Sequence, residues 1–294
     1  MRLHPPRVRL TPISAAGLVL VGAFTVQYGS ALATMLFPYV GPGTTVLMRV
    51  AFAAAIVALV FRPRWGMLRQ ASGRAWLLIG GYGASMSLMN LNFYHALELL
   101  PLGATVTIEF LGPLGLALLG SRRATDLLWA GLAVLGVVLI TGFRFDMFSP
   151  LGVSFALAAG VCWAVYLALA AKSSEVFPTR EGLSFGLIAA AVVAVPFGVG
   201  GVSGGFEHPW VFLAGAGVAV LSTALPYAVD LVALTVVPTA AYGVLMSLEP
   251  AVAALSGWVV LGQQLSVVQW VALFMVVAAS AGSTLSAQRR LARP

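Results

Sequence analysis

With 294 residues, of which 60% are hydrophobic and 9% charged, and a mean hydropathy of +0.99, the chain lies outside the range of soluble globular domains and reads as an all-α, polytopic membrane protein. The net charge of +7 invites a nucleic-acid reading, but the arginines stand between apolar runs and no basic cluster is interleaved with exposed aromatics, which argues against that partner. The single cysteine, Cys162, lies in an apolar run and has no intrachain partner, so it says nothing of redox compartment.

Ten apolar runs of spanning length, bounded by charge, Gly and Pro, are predicted at about 12–36, 43–61, 75–98, 103–120, 125–142, 151–171, 182–200, 210–236, 239–261 and 266–286. The first follows Arg2, Arg7 and Arg9 and so resembles a signal peptide, but it is longer than an h-region and is kept as a membrane helix. It carries Gln27 and Tyr28, and Gln27 lies deep enough to face a cavity. Arg49, six or seven residues into the second run, is either an interfacial anchor or a clamp for a substrate carboxylate, whose two oxygens a guanidinium matches with parallel hydrogen bonds. The third run ends in NFYHALE, with Asn92, Tyr94 and His95 close together. A histidine on an apolar helix is commonly a hydrogen-bonded packing residue; the sharper alternative is a proton relay or substrate contact.

The fourth and ninth runs set the pattern for the whole chain. Glu109 and Glu249 sit well inside them, and a carboxylate at a helix centre in the bilayer costs roughly 2.5–3.5 kcal/mol, so each is expected to face a cavity or a partner. Proline has no N–H and clashes with the carbonyl four residues back: Pro113 therefore releases the carbonyl of Glu109, and Pro250 that of Met246. Freed backbone at that depth is tolerated only where protein or a wet cavity satisfies it, and transporters place their sites at such helix breaks. Between these runs, Trp163 and Tyr166 on the sixth, Tyr227 on the eighth and Tyr242 on the ninth are candidates to line the same cavity. Asp230 is a gate residue or a solvated helix end. Small residues at four-residue spacing, such as Ala156, Gly160 and Ala164, allow close helix packing, and no function is attached to them.

An offset of 137 residues places Pro101 on Pro238, Pro113 on Pro250 and Gly120 on Gly257. The implied repeat units are 1–146 and 147–294, five helices each. An odd number forces the second unit to enter the membrane from the other side, so equivalent loops should differ in charge. SRRAT after the fourth run corresponds to LGQQLS after the ninth, and the arginine-rich connection 62–74 corresponds to GGVSGGFEHPW, which has neither Lys nor Arg. With both termini cytoplasmic, fourteen of the sixteen basic residues fall on the inner side, as the positive-inside rule demands.

The stretches LSTALPYAVDLVALTVVPTAAYGVLMSLEPAVAALSG and LLPLGATVTIEFLGPLGLALLGSRR resemble the EamA-type branch of the drug/metabolite transporter superfamily, and within it the chain is similar to bacterial threonine/homoserine exporters. The resemblance covers nearly the whole chain. It implies ten helices in two EamA repeats, a bacterial inner-membrane location among lipid, and proton-driven efflux of small amino acids, and it carries over onto Glu109, Pro113, Glu249 and Pro250. Related chains commonly have an acidic residue after the glycine that follows the ninth helix. Gln263 and Gln264 stand there in this one, which weakens any role for that loop. Another cargo on the same fold is the nearer rival: an aromatic or hydrophobic amino acid, a purine-like metabolite or a cationic drug. A membrane-embedded enzyme is the distant one. The sequence holds no HExxH, no metal-spaced Cys/His set, no GxSxG and no Walker-type phosphate loop, so neither catalysis nor a metal or cofactor is expected.

Overall fold

The computed structural model describes residues 12–118, 124–141, 149–227, 229, 237 and 239–291, and among them every regular element is helical. Asp230, Pro238, Arg2, Arg7, Arg9, Arg122, Arg123, Arg144 and Arg293 lie outside the described residues. The elements in order are α1 (Pro12–Thr34), α2 (Phe37–Phe61), a short α3 (Trp65–Arg69), α4 (Gly73–Leu99), α5 (Leu102–Glu109), α6 (Leu111–Leu118), α7 (Ala124–Thr141), α8 (Pro150–Val176), α9 (Thr179–Gly198), α10 (Val202–Glu207), α11 (Trp210–Ala219), α12 (Thr239–Met246), α13 (Glu249–Leu261) and α14 (Val267–Leu291).

Among the described residues, seven helical stretches are long and apolar enough to cross a membrane: Gly17–Thr34, Phe37–Phe61, Pro150–Val176, Thr179–Glu207, Trp210–Tyr227, Tyr242–Leu261 and Val267–Ser286. Leu102–Leu116 and Leu127–Leu139 are shorter apolar helices. At 1.5 Å per residue the 27 residues of α4 also exceed the hydrocarbon thickness, but Asn90, Asn92, His95 and Glu98 make its C-terminal half more polar than a lipid-facing span. That half is turned inward: Asn90, Leu91, Phe93, Tyr94, Ala96 and Leu97 are all buried. Exposed Leu, Val and Phe side chains cover the outside, as on Leu59, Leu77, Val192, Leu213 and Val267, where lipid rather than water is the matching solvent.

The interior is organised by where helices break. α5 ends at Glu109, α6 begins at Leu111, and the turn at Phe110 comes three residues before Pro113. α12 ends at Met246 and α13 begins at Glu249, with Pro250 in its first turn. The carbonyl that Pro113 releases, that of Glu109, lies against α8 at Gly160. A side-chain carbon there would stand only 2.6 Å from Glu109 O, so glycine alone permits the approach. Across the pair, a Cβ on Gly112 would strike the Gly160 backbone carbonyl. Two glycines thus let the broken helix lie directly on α8.

A third irregularity is a π-helical turn, Val220–Ala224, directly after α11. Pro226 lacks the N–H that would bond Ser222 O, and Gly29 of α1 makes room alongside, since a Cβ at Gly29 would already touch Ser222 Cβ at 3.0 Å. In α2, Gly41 takes φ 73° just before Pro42 and kinks that helix near its start.

Candidate functional site

The three breaks surround one polar interior. A cavity of about 360 Å³ is lined by Arg49, Glu249, Trp163, Tyr166, Tyr227 and Tyr242, with Pro113 and the hydroxyls of Ser222, Ser280, Ser283 and Thr284 in its wall. Beside it lies a chamber of about 90 Å³ whose polar lining is Gln27, Ser30, Arg49, Asn90, Glu109 and Glu249. Arg49, Glu249, Trp163, Val26 and Met89 line both, so the two spaces meet at the arginine and one carboxylate.

Arg49 is 8% exposed and its orientation is fixed from three sides. Its Nε donates to Thr223 Oγ1 (3.0 Å), Nη1 to the Tyr94 hydroxyl (3.2 Å) and Nη2 to Ser222 O (2.9 Å). The Tyr94 ring adds a cation–π contact, 5.5 Å from centroid to Cζ. The Ser222 carbonyl is the one that Pro226 deprives of a helical donor, so a proline in the chain becomes a hydrogen bond to the guanidinium. Of five guanidinium N–H donors three are held in this way, and each terminal nitrogen carries one more. That remainder suits a carboxylate.

The two glutamates reach this space from opposite kinds of helix end. Glu109 is the last residue of α5 and Glu249 the first of α13, 7% and 5% exposed respectively. Helix α13 packs against both α1 and α5, which is why the carboxylates border one chamber although 140 positions part them in sequence. Counting formal charges, the ionised pair and Arg49 leave the site at minus one.

The remaining residues singled out in the sequence fall in three places. Gln27 is 4% exposed and lines the small chamber. Tyr166 and Tyr227 line the large cavity and also a further space of about 320 Å³ towards Ser173, Phe177 and Thr179. Their hydroxyls meet at 3.2 Å between the two, and Tyr82 stacks on Tyr166 at 5.3 Å. Tyr94 lines neither the large cavity nor the small chamber but holds Arg49. His95 and Asn92 lie outside all three linings: His95 Nδ1 is 3.3 Å from Glu98 Oε2 and its ring stacks on Phe155, while Asn92 Nδ2 donates to Leu88 O of its own helix (2.8 Å). Ser30, Asn90, Ser222 and Thr223 were not marked by sequence reasoning. For Ser222 a signal existed, because the rule that freed the carbonyls of Glu109 and Met246 applies equally to Pro226. Gln263 also gains a place: its Oε1 accepts from Leu102 N (3.0 Å), capping the N-terminus of α5.

A bundle of membrane-crossing and shorter apolar helices, three of them broken around an arginine, two carboxylates and a hydroxyl-lined cavity, is built as a membrane transporter, and no group of three or more metal-ligating side chains occurs among the described residues. Residues 150–285 match the EamA-like transporter family. The threonine/homoserine exporter RhtA of Salmonella typhimurium strain SL1344 is 41% identical over 290 residues, covering 97% of this chain and 96% of that one. The exporter of the same name from Escherichia coli K12 is 41% identical over 275 residues, 92% of each chain. This chain therefore belongs to the EamA-like transporter family and is not an enzyme. A solved crystal structure shares its fold, with a TM-score of 0.62 and 23% identity over 95% of this chain and 99% of the other.

Proposed function

We propose that this protein is a secondary exporter of small amino acids of the threonine and homoserine kind, set in the bacterial inner membrane and driven by proton antiport. The observation that carries the reading is the junction of the two chambers, which Arg49, held by three hydrogen bonds, borders together with Glu249, while Glu109 lines the smaller one. A zwitterion has its two charged groups one carbon apart. Its carboxylate goes to Arg49 and its ammonium to the glutamates, and because the empty site carries minus one, binding the neutral zwitterion leaves that charge unchanged. A proton arriving from the periplasm removes the charge, competes with the ammonium and releases the substrate outward; the neutral carrier then resets. Ten helices in an inverted five-plus-five arrangement, units 1–146 and 147–294 with both termini cytoplasmic, supply the two-fold relation that alternating access uses. In support of it, the interruptions at Phe110 and at Ser247–Leu248 fall at positions related by the same 137-residue offset. The RhtA relatives support the cargo class.

The test is binding of threonine in detergent from about pH 5 to 8. Where the shared carboxyl is protonated, affinity should rise with pH by up to about tenfold per unit and then level off, as linkage to one proton requires. Glu109→Gln or Glu249→Gln should flatten that dependence and abolish pH-driven efflux with membrane insertion intact. Affinity that ignores pH in the wild type would refute the shared site. A second cargo is favoured by one observation: five aromatic residues, Phe110, Trp163, Tyr166, Tyr227 and Tyr242, wall a cavity larger than a four-carbon amino acid fills. Competition by phenylalanine as strong as that by homoserine would decide for it.

A further inference from the structure

Two side chains in the small chamber are out of place energetically. Among the described residues, Gln27 Oε1 and Ser30 Oγ are buried without a hydrogen-bond partner, on residues only 4% and 1% exposed. A buried acceptor without a donor is costly, and nearly all such groups in folded proteins find one. Both residues lie on α1, three positions apart and therefore on one face, and both line the chamber that holds Glu109 and Glu249. Asn90 lines it too: one of its two Nδ2 N–H groups goes to Met86 O, and its amide oxygen is an acceptor it can offer. Among the described residues, the chamber thus sets two carboxylates and these neutral acceptors around Arg49, its one charged donor.

We infer that this chamber is the subsite for the substrate's α-ammonium, and that Gln27 Oε1 and Ser30 Oγ are the neutral acceptors that complete its hydrogen bonds beside the glutamates. The inference rests on the amino-acid exporter reading and sharpens it. An ammonium group has three N–H donors, and in a dry site each needs a partner. Carboxylates supply charge but are lost as partners for the cation when protonated; an amide oxygen and a hydroxyl do not titrate. The size agrees. The chamber, about 90 Å³, is a quarter the size of the 360 Å³ cavity beside it, which suits the ammonium end of the substrate rather than the whole of it. Carboxylate and side chain must then remain in the 360 Å³ cavity, on the other side of Arg49.

The experiment compares the full chain with Gln27→Met and Ser30→Ala, using threonine and, as the probe without an amino group, 3-hydroxybutanoate. Each variant should weaken threonine about tenfold, the loss expected of a hydrogen bond to a charged group. Each should leave 3-hydroxybutanoate within about twofold, the range of a substitution that removes no contact. The pH dependence of threonine binding should keep its slope in both, because the titrating groups are untouched. Ligand-free melting temperatures should match or exceed the wild type, since an orphaned buried acceptor has been removed; a purely structural role predicts the reverse. Threonine affinities unchanged in both variants, an equal loss for 3-hydroxybutanoate, or wild-type binding that requires sodium, with the ion occupying the acceptors instead, would each overturn the subsite. A wild type that binds no amino acid at all would overturn the exporter reading as well.

Discussion

Replacing Gly160 by alanine tests the link between helix packing and the site most directly. The added carbon would lie 2.6 Å from Glu109 O and 3.3 Å from Gly112 N, all backbone atoms that no rotamer change can withdraw. A relaxed carbon–oxygen contact needs about 3.3 Å, so α8 and the α5–α6 break must part by about 0.7 Å. Overpacking of this kind typically costs about 1–3 kcal/mol. The displaced atom belongs to Glu109 itself, and misplacing a reacting group by 1 Å can cost on the order of 10²-fold, so transport should fall further than stability. The assay is paired: thermal melting of the purified protein, and uptake of labelled threonine by inverted vesicles under an imposed pH gradient. Gly80→Ala on α4 is the control, because nothing stands within 4 Å of the Cβ it would add. It should melt at or above the wild type, as alanine is favoured over glycine in a helix by about 1 kcal/mol. Gly160→Ala with wild-type melting and wild-type uptake would refute the reasoning.

Three further outcomes are expected. Arg49→Lys keeps the charge but cannot donate to Thr223, Tyr94 and Ser222 at once and still present a fork, so threonine binding should drop by more than about tenfold, measured by calorimetry in detergent. Gln263→Ala removes the cap on Leu102 N and should cost about 0.5–2 kcal/mol of stability, whereas Gln263→Glu retains an acceptor at the positive end of α5 and should cost less; melting curves decide. A periplasm-dependent reporter fused after Arg293 should be silent, and strong activity there would refute cytoplasmic termini.

What the sequence disclosed and what it withheld divide along the range of the interaction. Helices were legible because hydropathy is a property of contiguous residues, and their interruption near Pro113 and Pro250 because a missing N–H acts on a carbonyl four positions away. Arg49 could be noticed as a buried charge but its partners could not, since Thr223 and Ser222 lie 174 and 173 residues further on. Gln263 is instructive. As a departure from an acidic pattern it weakened any role for its loop; in the folded chain the amide oxygen caps a helix 161 residues earlier, something an acidic side chain would also do. Gly160 read as one small residue among many in an Ala/Gly-rich helix, and nothing local marks it as the place where the Glu109 carbonyl comes to rest. His95, adjacent in sequence to a residue of the site, turns to Glu98 and Phe155 because one helical position is a rotation of about 100°.

The mooring of Arg49 has a bearing on how affinity could vary through a transport cycle. Its three tethers are spread over α4 and the π-helical turn after α11, while the guanidinium itself rides on α2. The fork therefore exists as a binding surface only while those helices keep this alignment. A rocking motion that slid the turn away from α2 would cut two hydrogen bonds and let the side chain swing, so the same displacement that opens a path out would also blunt the grip on the cargo. Grip and gate would then be one degree of freedom, and a ligand that prefers the tethered arrangement would hold the protein in it by that preference alone.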